Sequence, residues 1–311
     1  MIGWFFCFFA VTVWGITFVN TRFLLSDFSS LEIMLVRFVI AWLALCIWGV
    51  AKERESMKWT GRGEWLFAAM GLTGVFAYQF LENCAIHYTN ASNVAILVSV
   101  VPIVTGIFAR MFSNDRSLSR RAVIGSLIAM FGTAFVSLNG VLHLDMHPLG
   151  DLMALGAMVS WGVYSVLIAK VGKYGLSAMA TTRKSFAWAL LMMVPVVAWG
   201  TTDGGFDALN GSFRVTLDCA HNHERFMRPL NWLNFGFLGL FASAISFAFW
   251  SRACESIGIV RTAICLNFEP VVAVAFAAVF LGEDISFASV LGGGAIIMGV
   301  LTASSKPKTD D

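Results

Sequence analysis

Long apolar runs separated by short polar breaks extend along the whole chain. A helix needs roughly 20 mainly apolar residues to cross about 30 Å of membrane hydrocarbon, and run after run in this sequence has that length. The breaks are charged at Lys52 to Arg62 and Asn114 to Arg121, and Asn139 to Pro148 carries a glycine and a helix-ending proline. The pattern predicts transmembrane spans near residues 2–24, 31–50, 64–84, 91–112, 121–139, 149–170, 180–199, 232–251, 259–281 and 286–303.

Composition agrees with a membrane protein. Of the 311 residues, 58% are hydrophobic and 13% are charged, and the mean hydropathy is +0.76. A soluble domain of this length could not bury so much apolar surface. The net charge of +2 and the lack of a polybasic block argue against nucleic acid as a partner. We therefore expect an all-α integral membrane protein of ten transmembrane helices, surrounded by lipid, whose first run from Ile2 is a retained helix.

The distribution of basic residues predicts the orientation, because lysine and arginine stay preferentially on the cytoplasmic side. With the N-terminus inside, fourteen of them fall on the inner side: four within 52–62, four within 110–121, Lys170 and Lys173, residues 252 and 261, and two in the tail. The outer side then holds Arg22, Arg214, Arg225 and Arg228. The sequence predicts a multi-pass protein of the cell membrane with both termini in the cytoplasm.

The two halves of the chain share landmarks at a steady offset, which indicates an internal duplication. We predict a first five-helix repeat at 1–140, a second at 148–303 with an outer loop at 200–231, and a cytoplasmic tail at 304–311. Because five spans is an odd number, the second repeat is predicted to be inverted in the membrane, as in many secondary transporters. The matched landmarks are Trp14-Gly15 with Trp161-Gly162, Arg37 with Arg183, and Ala85, Pro102, Asp115 and Gly125 with Ala253, Pro270, Glu283 and Gly293.

Several of these motifs, with others, occur in the order found in one known family. They are the two Trp-Gly pairs, Arg37, the segment Ala85 to Ser92, the pair Glu269-Pro270 followed by Phe280-Leu281-Gly282-Glu283, and a glycine-bearing last helix. In this ordered set the chain resembles the EamA-type ten-helix members of the drug/metabolite transporter superfamily over nearly its whole length. The first repeat departs from the pattern, with Phe-Ser-Asn-Asp at 112–115 where the family usually has Leu-Gly-Glu.

The resemblance implies a central cavity lined by the first, third, fourth, sixth, eighth and ninth helices, with the fifth and tenth as scaffold. Family members carry amino acids, nucleosides, sugars, vitamins or amphipathic cations, so the resemblance does not imply one substrate. The first span lacks the glutamate that small multidrug-resistance relatives use for proton and cation exchange, which argues against cationic-drug antiport.

Two carboxylates inside predicted spans are candidates for substrate or proton binding, because a charge within a span is unfavourable and often marks the transport path. Glu82 lies one helical turn from Tyr78, so the two side chains share a face. Glu269 precedes Pro270, whose ring removes a backbone hydrogen bond and frees a carbonyl. Asn267 lies two residues earlier, on a different face. The alternatives are a solvated helix end for Glu82 and a stabilised kink for Glu269.

Arg37 and Arg183 are predicted repeat partners, and each guanidinium could bind a carboxylate or phosphate. We favour a structural role for both, either tying helices together or extending towards the membrane interface. Trp14, Trp161 and Tyr164 could form the wall of a site for a cationic or aromatic substrate, although any one of them could simply pack in the core.

The sequence favours a transporter over an enzyme, because it contains no Gly-rich phosphate loop, HExxH or Gly-x-Ser-x-Gly motif. We expect export of a small organic metabolite, such as an amino acid or related compound, without a cofactor or bound metal. The alternative is a membrane-embedded sensor or metal-dependent enzyme using the Cys219 to Glu224 loop, which has metal-ligand residue types but no second ligand pair. The small face formed by Ala295, Gly299 and Ala303 suits either a homodimer or packing within one chain.

Overall fold

The computed structural model of the chain describes residues 1–52, 61–88, 91–112, 119–138, 147–200, 223–282 and 284–304. All regular elements within these ranges are helical. Five long helices are uninterrupted by other helix types or turns: α1 (Ile2–Leu24), α2 (Ser30–Lys52), α5 (Arg120–Leu138), α6 (Pro148–Val171) and α7 (Ala178–Gly200). A sixth uninterrupted helix, α10 (Phe287–Ser304), is shorter.

The remaining four long helices are interrupted. Helix α3 combines Glu64–Met70, a π-helical stretch at Gly71–Ala77, and Tyr78–Tyr88. Helix α8 has the same plan, with Pro229–Gly236, a π-helical stretch at Phe237–Ile245, and Ser246–Ile257. Helix α4 is divided into Ala91–Val98 and Val101–Phe112, and α9 into Ile259–Cys265, a 3-10 turn at Leu266–Phe268, and Glu269–Leu281.

Seven helical stretches in the described part of the chain are long and apolar enough to cross a membrane. They lie in α1, α2, α4, α5, α6, α8 and α9, while α10 is a shorter apolar helix. The expected class, a helical multi-pass membrane protein, is therefore confirmed. The helix bounds fall within a few residues of the expected spans, except that α8 continues to Ile257 and α3 to Tyr88. Glu82 consequently lies within α3 rather than at its end.

Local sequence explains where several helices begin and end. His147 caps α6 by accepting a hydrogen bond from the Gly150 backbone N–H, and Pro148 occupies the first turn, where its missing N–H does no harm. Between α8 and α9 the chain turns at Gly258, whose φ of 88° suits a residue without a side chain. The breaks in α4 and α9 stand next to Pro102 and Pro270, which cannot donate a helical hydrogen bond.

The π-helical stretches leave backbone carbonyls that other helices use. In α3 the Thr73 carbonyl accepts a hydrogen bond of 2.9 Å from the Ser160 hydroxyl of α6. In α8 the Ala242 carbonyl accepts one of 2.8 Å from the Trp14 indole of α1. These bonds satisfy polar groups that hydrocarbon could not, and they join α3 to α6 and α1 to α8.

Helices α5 and α10 pack closely together at one side of the bundle. A methyl group added at Gly132 would lie 2.5 Å from the Gly292 carbonyl oxygen, and one added at Gly292 would lie 2.6 Å from the Gly132 carbonyl oxygen. Gly299 and Ala303 likewise meet Gly125 of α5. Small residues allow this backbone approach. Two residues of the expected small face, Gly299 and Ala303, thus pack within one chain, and Gly292 and Ile296 of the same helix also contact α5.

Candidate functional site

The pairing expected between Glu82 and Tyr78 is present on α3. The Tyr78 hydroxyl donates a hydrogen bond of 3.0 Å to Glu82 Oε1. Both residues are half-buried although α3 packs against α6, α7 and α2 inside the bundle. A carboxylate held by a tyrosine in such surroundings can accept a proton or the donors of a bound ammonium group.

A second carboxylate approaches from α9. Glu269 stands at the start of the Glu269–Leu281 helix, directly after the 3-10 turn, and it is half-buried. Its charge lies close enough to Glu82 and Tyr78 to interact with both electrostatically. Within the described ranges, neither Glu269 nor Glu82 forms an ion pair with a basic side chain. The interior of the bundle therefore contains two neighbouring acids that the protein does not neutralise by direct contact.

Close packing of α1 against α9 fixes the position of Glu269. A methyl group added at Gly15 would lie 3.0 Å from the Glu269 carbonyl oxygen and 2.6 Å from Val272 Cβ, so only glycine fits at this position. Asn267 lies in the preceding turn and is buried, and its Nδ2 donates a bond of 3.4 Å to the Ile264 carbonyl. In the described structure Asn267 Oδ1 has no hydrogen-bond partner.

The two arginines occupy different surroundings. Arg37 is buried within α2, and its Nε donates a hydrogen bond of 3.0 Å to the Ser243 hydroxyl in the π-helical stretch of α8. It also interacts electrostatically with Glu82, without the direct contact of an ion pair. Arg183 is buried on α7, where its guanidinium lies directly against Gly49 of α2. Arg37 thus belongs to the neighbourhood of the carboxylates, whereas Arg183 joins α7 to α2.

The rings of Trp14, Trp161 and Tyr164 pack in the buried core, as the packing alternative expected, and they form a wall beside Tyr78. The rings of Trp14 and Trp161 meet edge to face with their centroids 5.7 Å apart, which brings α1 and α6 together. Trp161 also contacts Tyr78 at 4.8 Å and Tyr164 at 5.2 Å. All three residues singled out from the sequence as a possible wall, Trp14, Trp161 and Tyr164, therefore lie in one cluster, and Tyr78 connects that cluster to Glu82.

Sequence reasoning missed two large members of this cluster, both on α8. The Trp250 ring lies 5.2 Å from Trp14 and 5.7 Å from Trp161, and the Phe247 ring lies 5.5 Å from Trp14. A usable signal was present, because Trp250 follows Glu82 by 168 residues, the offset that also relates Ala85 to Ala253 and Pro102 to Pro270. Ser243, which holds Arg37, had no comparable signal.

Two other buried acids in the described residues, Glu32 and Glu64, are paired with basic side chains, whereas Oδ1 of the half-buried Asp151 on α6 has no hydrogen-bond partner. Glu32, near the start of α2, accepts hydrogen bonds of 3.0 and 3.2 Å from the two terminal nitrogens of Arg225. Glu64, at the start of α3, lies 2.5 Å from Lys184 Nζ and also accepts a bond of 3.3 Å from the Trp188 indole. These contacts satisfy the carboxylates fully, and they lie at helix ends rather than beside the aromatic wall.

The loop considered for a metal lies largely outside the described residues. Cys219 to Asn222 are not described, and His223 and Glu224 stand at the start of a short helix, Glu224–Met227. Among the side chains that the structure does describe, no group of three or more metal-ligand residues is arranged to hold an ion.

Comparison with known proteins was made on the sequence and on the fold. The sequence profile of the EamA-like transporter family matches residues 1–138 and 148–305. An uncharacterised transporter of Bacillus subtilis, YyaM, is 25% identical over 93% of this chain and 89% of its own length. A probable terminal-alkyne amino-acid exporter of Streptantibioticus cattleyicolor is 25% identical over 94% of this chain and 89% of its own. A probable amino-acid metabolite efflux pump of Escherichia coli is 25% identical over 93% and 90%, respectively.

A solved crystal structure shares the fold. It superimposes with a TM-score of 0.75 over 96% of this chain and 95% of its own, at 18% sequence identity. The relatives named above are all transporters or exporters, and none of their names denotes an enzyme.

Proposed function

Because this chain belongs to the EamA-like transporter family, we propose that it is a secondary transporter that exports a small organic metabolite, such as an amino acid or related compound, by alternating access. The observation that carries the proposal is the pair Glu82 and Glu269, held without basic partners in the described structure beside the wall of Trp14, Trp161 and Trp250. Two relatives named as amino-acid exporters support the substrate class and the direction.

The architecture we propose is ten spans in two inverted five-helix repeats, with α1–α5 in the first and α6–α10 in the second. Corresponding contacts support it. Helix α1 packs against α8 and α9, as α6 packs against α3 and α4, and α2 packs against α8 as α7 packs against α3. Helices α2 and α7, α4 and α9, and α5 and α10 pack as pairs. A twofold relation between the halves produces this pattern.

The irregular parts of the helices correspond as well. The π-helical stretch at Gly71–Ala77 in α3 is matched by Phe237–Ile245 in α8, and the break before Pro102 in α4 by the turn before Pro270 in α9. Half-structures of opposite orientation can exchange conformations and so open a midplane site to alternate sides. Interrupted helices are suited to this movement, because their hydrogen bonds are already rearranged at defined points.

In this mechanism the site comprises Glu82, Tyr78, Glu269 and the aromatic wall, with Asn267 at the break of α9. The protein lies in the cell membrane with both termini in the cytoplasm, supported by the unequal distribution of basic residues along the chain. Substrate and lipid are the partners that the mechanism requires. It does not require a homodimer, because α10 uses its small face against α5.

Counterflow in liposomes tests the transport function. Purified protein is reconstituted in liposomes that contain one unlabelled compound, and entry of the same labelled compound is followed for a panel of amino acids, nucleosides and sugars. We expect transient accumulation of at least one amino acid above equilibrium, and none in liposomes without protein. Absence of counterflow for every compound, with protein that is folded and inserted, would contradict the proposal.

A further inference from the structure

The geometry points to a more specific substrate: we propose that the site binds a compact zwitterion, such as an α-amino acid, between Glu82 and Arg37. The ammonium group is received by Glu82 with Tyr78, and the carboxylate by the guanidinium of Arg37. This inference rests on the proposed transport function and deepens it, because it assigns the two charges of the substrate to two residues on different helices, α3 and α2.

The acidic side of the site matches an ammonium group. Glu82 is half-buried, accepts one hydrogen bond from Tyr78 at 3.0 Å, and forms no ion pair within the described ranges. Glu269 adds a second negative charge near it. A primary ammonium has three donors and no acceptor, so it can satisfy several carboxylate oxygens at once.

The basic side of the site has unused donors. The Arg37 side chain is more than nine-tenths buried, with 8% of the residue exposed. In the described structure its one hydrogen bond runs from Nε to the Ser243 hydroxyl, which leaves both terminal amino groups without a hydrogen-bond partner. Because the paired amino groups of a guanidinium match the two oxygens of a carboxylate, they can receive one.

The relation between the two charges supports a ligand that fits between them. Glu82 and Arg37 carry opposite charges on α3 and α2, two helices that contact each other, yet no ion pair joins them within the described residues. A buried charge without direct compensation is unfavourable, and the paired acids elsewhere in this protein show the usual solution. A zwitterion bound between Glu82 and Arg37 would compensate both charges without requiring either helix to move towards the other.

The aromatic wall provides an independent indication of a ligand beside Glu82. Trp161 contacts the Tyr78 ring at 4.8 Å and is 3% exposed, and its indole N–H has no hydrogen-bond partner in the described part of the protein. An indole can attract an ammonium through its face and can donate its N–H to an acceptor. The repeat partner Arg183 does not offer an equivalent site, because it packs directly against Gly49.

Binding of matched probes tests the assignment of the two charges. Three compounds share one side chain: L-leucine, 3-methylbutylamine, which lacks the carboxylate, and N-acetyl-L-leucine, which lacks the ammonium. A second set, made of phenylalanine, its amine without the carboxylate and its N-acetyl derivative, repeats the test with a larger side chain. Dissociation constants are measured by calorimetry on purified full-length protein, for the wild type, Glu82→Gln, Arg37→Gln and Arg37→Lys. Arg228→Gln, which removes an exposed arginine, is the matched control.

The expected pattern is a crossover between probes and variants. The wild type binds the amino acid at least about tenfold more tightly than either truncated probe. The amine cannot form the charged hydrogen bonds to Arg37, and the N-acetyl compound cannot form those to Glu82. Arg37→Gln weakens binding of the amino acid to the level of the amine and leaves amine binding unchanged. Glu82→Gln weakens both ammonium-bearing probes and leaves the N-acetyl compound unchanged. Arg37→Lys gives an intermediate loss, and it replaces Arg37→Gln if that variant does not fold.

Two results would overturn the zwitterion site. One is an equal loss of amino-acid and amine binding in the Arg37 variants, which is the result expected if Arg37 only supports the fold. The other is a wild type that binds the amine as tightly as the amino acid, or binds none of the probes. Counterflow of a different compound by that same protein would leave the proposed transport function standing, so the two failures are distinguishable.

Discussion

In the described part of the chain, four buried or half-buried glutamates divide into two pairs with different surroundings. Glu32 and Glu64 lie at helix ends and contact Arg225 and Lys184 directly, at 3.0 and 2.5 Å. Glu82 and Glu269 lie beside the aromatic wall, and neither has an ion-pair partner in the described ranges. All four carry the same functional group in the same apolar protein. The difference supports our proposal that the second two serve a ligand or a proton, while the first two join helices.

The largest effect is expected from breaking a paired acid. Arg225→Met leaves Glu32 buried without its bidentate partner, and removing one member of a buried pair typically destabilises by about 3 to 5 kcal/mol. Thermal unfolding in detergent measures the loss. The exposed Arg228, whose side chain is 60% exposed, serves as the control. A stability of Arg225→Met equal to that of the wild type would show that the pairing is not structural.

An unpaired acid should respond differently to the loss of its charge. Glu82→Gln removes a charge that no basic side chain pairs with in the described residues, and the amide can still accept the Tyr78 hydrogen bond. We expect the melting temperature to stay the same or rise, whereas Glu64→Gln lowers it because Lys184 is left without its anion. The melting temperatures of Glu82→Gln and Glu64→Gln, measured side by side, compare the unpaired acid with the paired one. A large destabilisation of Glu82→Gln would place Glu82 with the structural acids.

A smaller difference in stability is expected between variants of two tryptophans in the wall, Trp14 and Trp250. Trp14→Phe removes the indole hydrogen bond to the Ala242 carbonyl, which should destabilise by about 1 kcal/mol beyond the change in packing. Trp250→Phe makes the same change of shape, but its indole N–H has no partner in the described structure. We therefore expect the loss of stability on thermal unfolding to be greater for Trp14→Phe. Equal losses would mean that the hydrogen bond contributes nothing measurable.

The smallest effect is expected at the protein surface. Arg228 contacts Asp27 at 2.9 Å, and exposed ion pairs generally contribute about 0 to 1 kcal/mol. Arg228→Met should therefore change the melting temperature little, and even that change should decrease with added salt. A loss as large as that of Arg225→Met would contradict the division between buried and exposed pairs.

Much of the fold was predictable from the sequence, because apolar length is a direct requirement of the bilayer. The α1 bounds, Ile2–Leu24, agree with the expected span, and α6 begins at Pro148, within a residue of the expected start. The π-helical stretches in α3 and α8 were not predictable in this way. Their carbonyls bond to distant helices, as Thr73 does to Ser160, and such contacts leave no local pattern in the sequence.

The part of the site that lies within one helix was predictable, because helical spacing decides which side chains share a face. The Glu82–Tyr78 contact follows from helical spacing alone, so the sequence was sufficient for it. The different surroundings of Arg37 and Arg183 were not predictable, because the sequence pattern pairs the two residues and does not show which side chains pack against each of them. Arg37 donates a hydrogen bond to Ser243 and interacts electrostatically with Glu82, whereas the guanidinium of Arg183 lies against Gly49.

Transport by Glu82→Gln tests most directly the claim that the unpaired acids serve transport. Wild type and variant are reconstituted in liposomes, a proton gradient is imposed, and accumulation of the amino acid that gave counterflow is measured, with Glu64→Asp as a control that keeps the paired acid charged. The account predicts that Glu82→Gln is folded in detergent but loses gradient-driven accumulation, while the control retains it. Proton-driven accumulation by Glu82→Gln at the wild-type level would contradict the account.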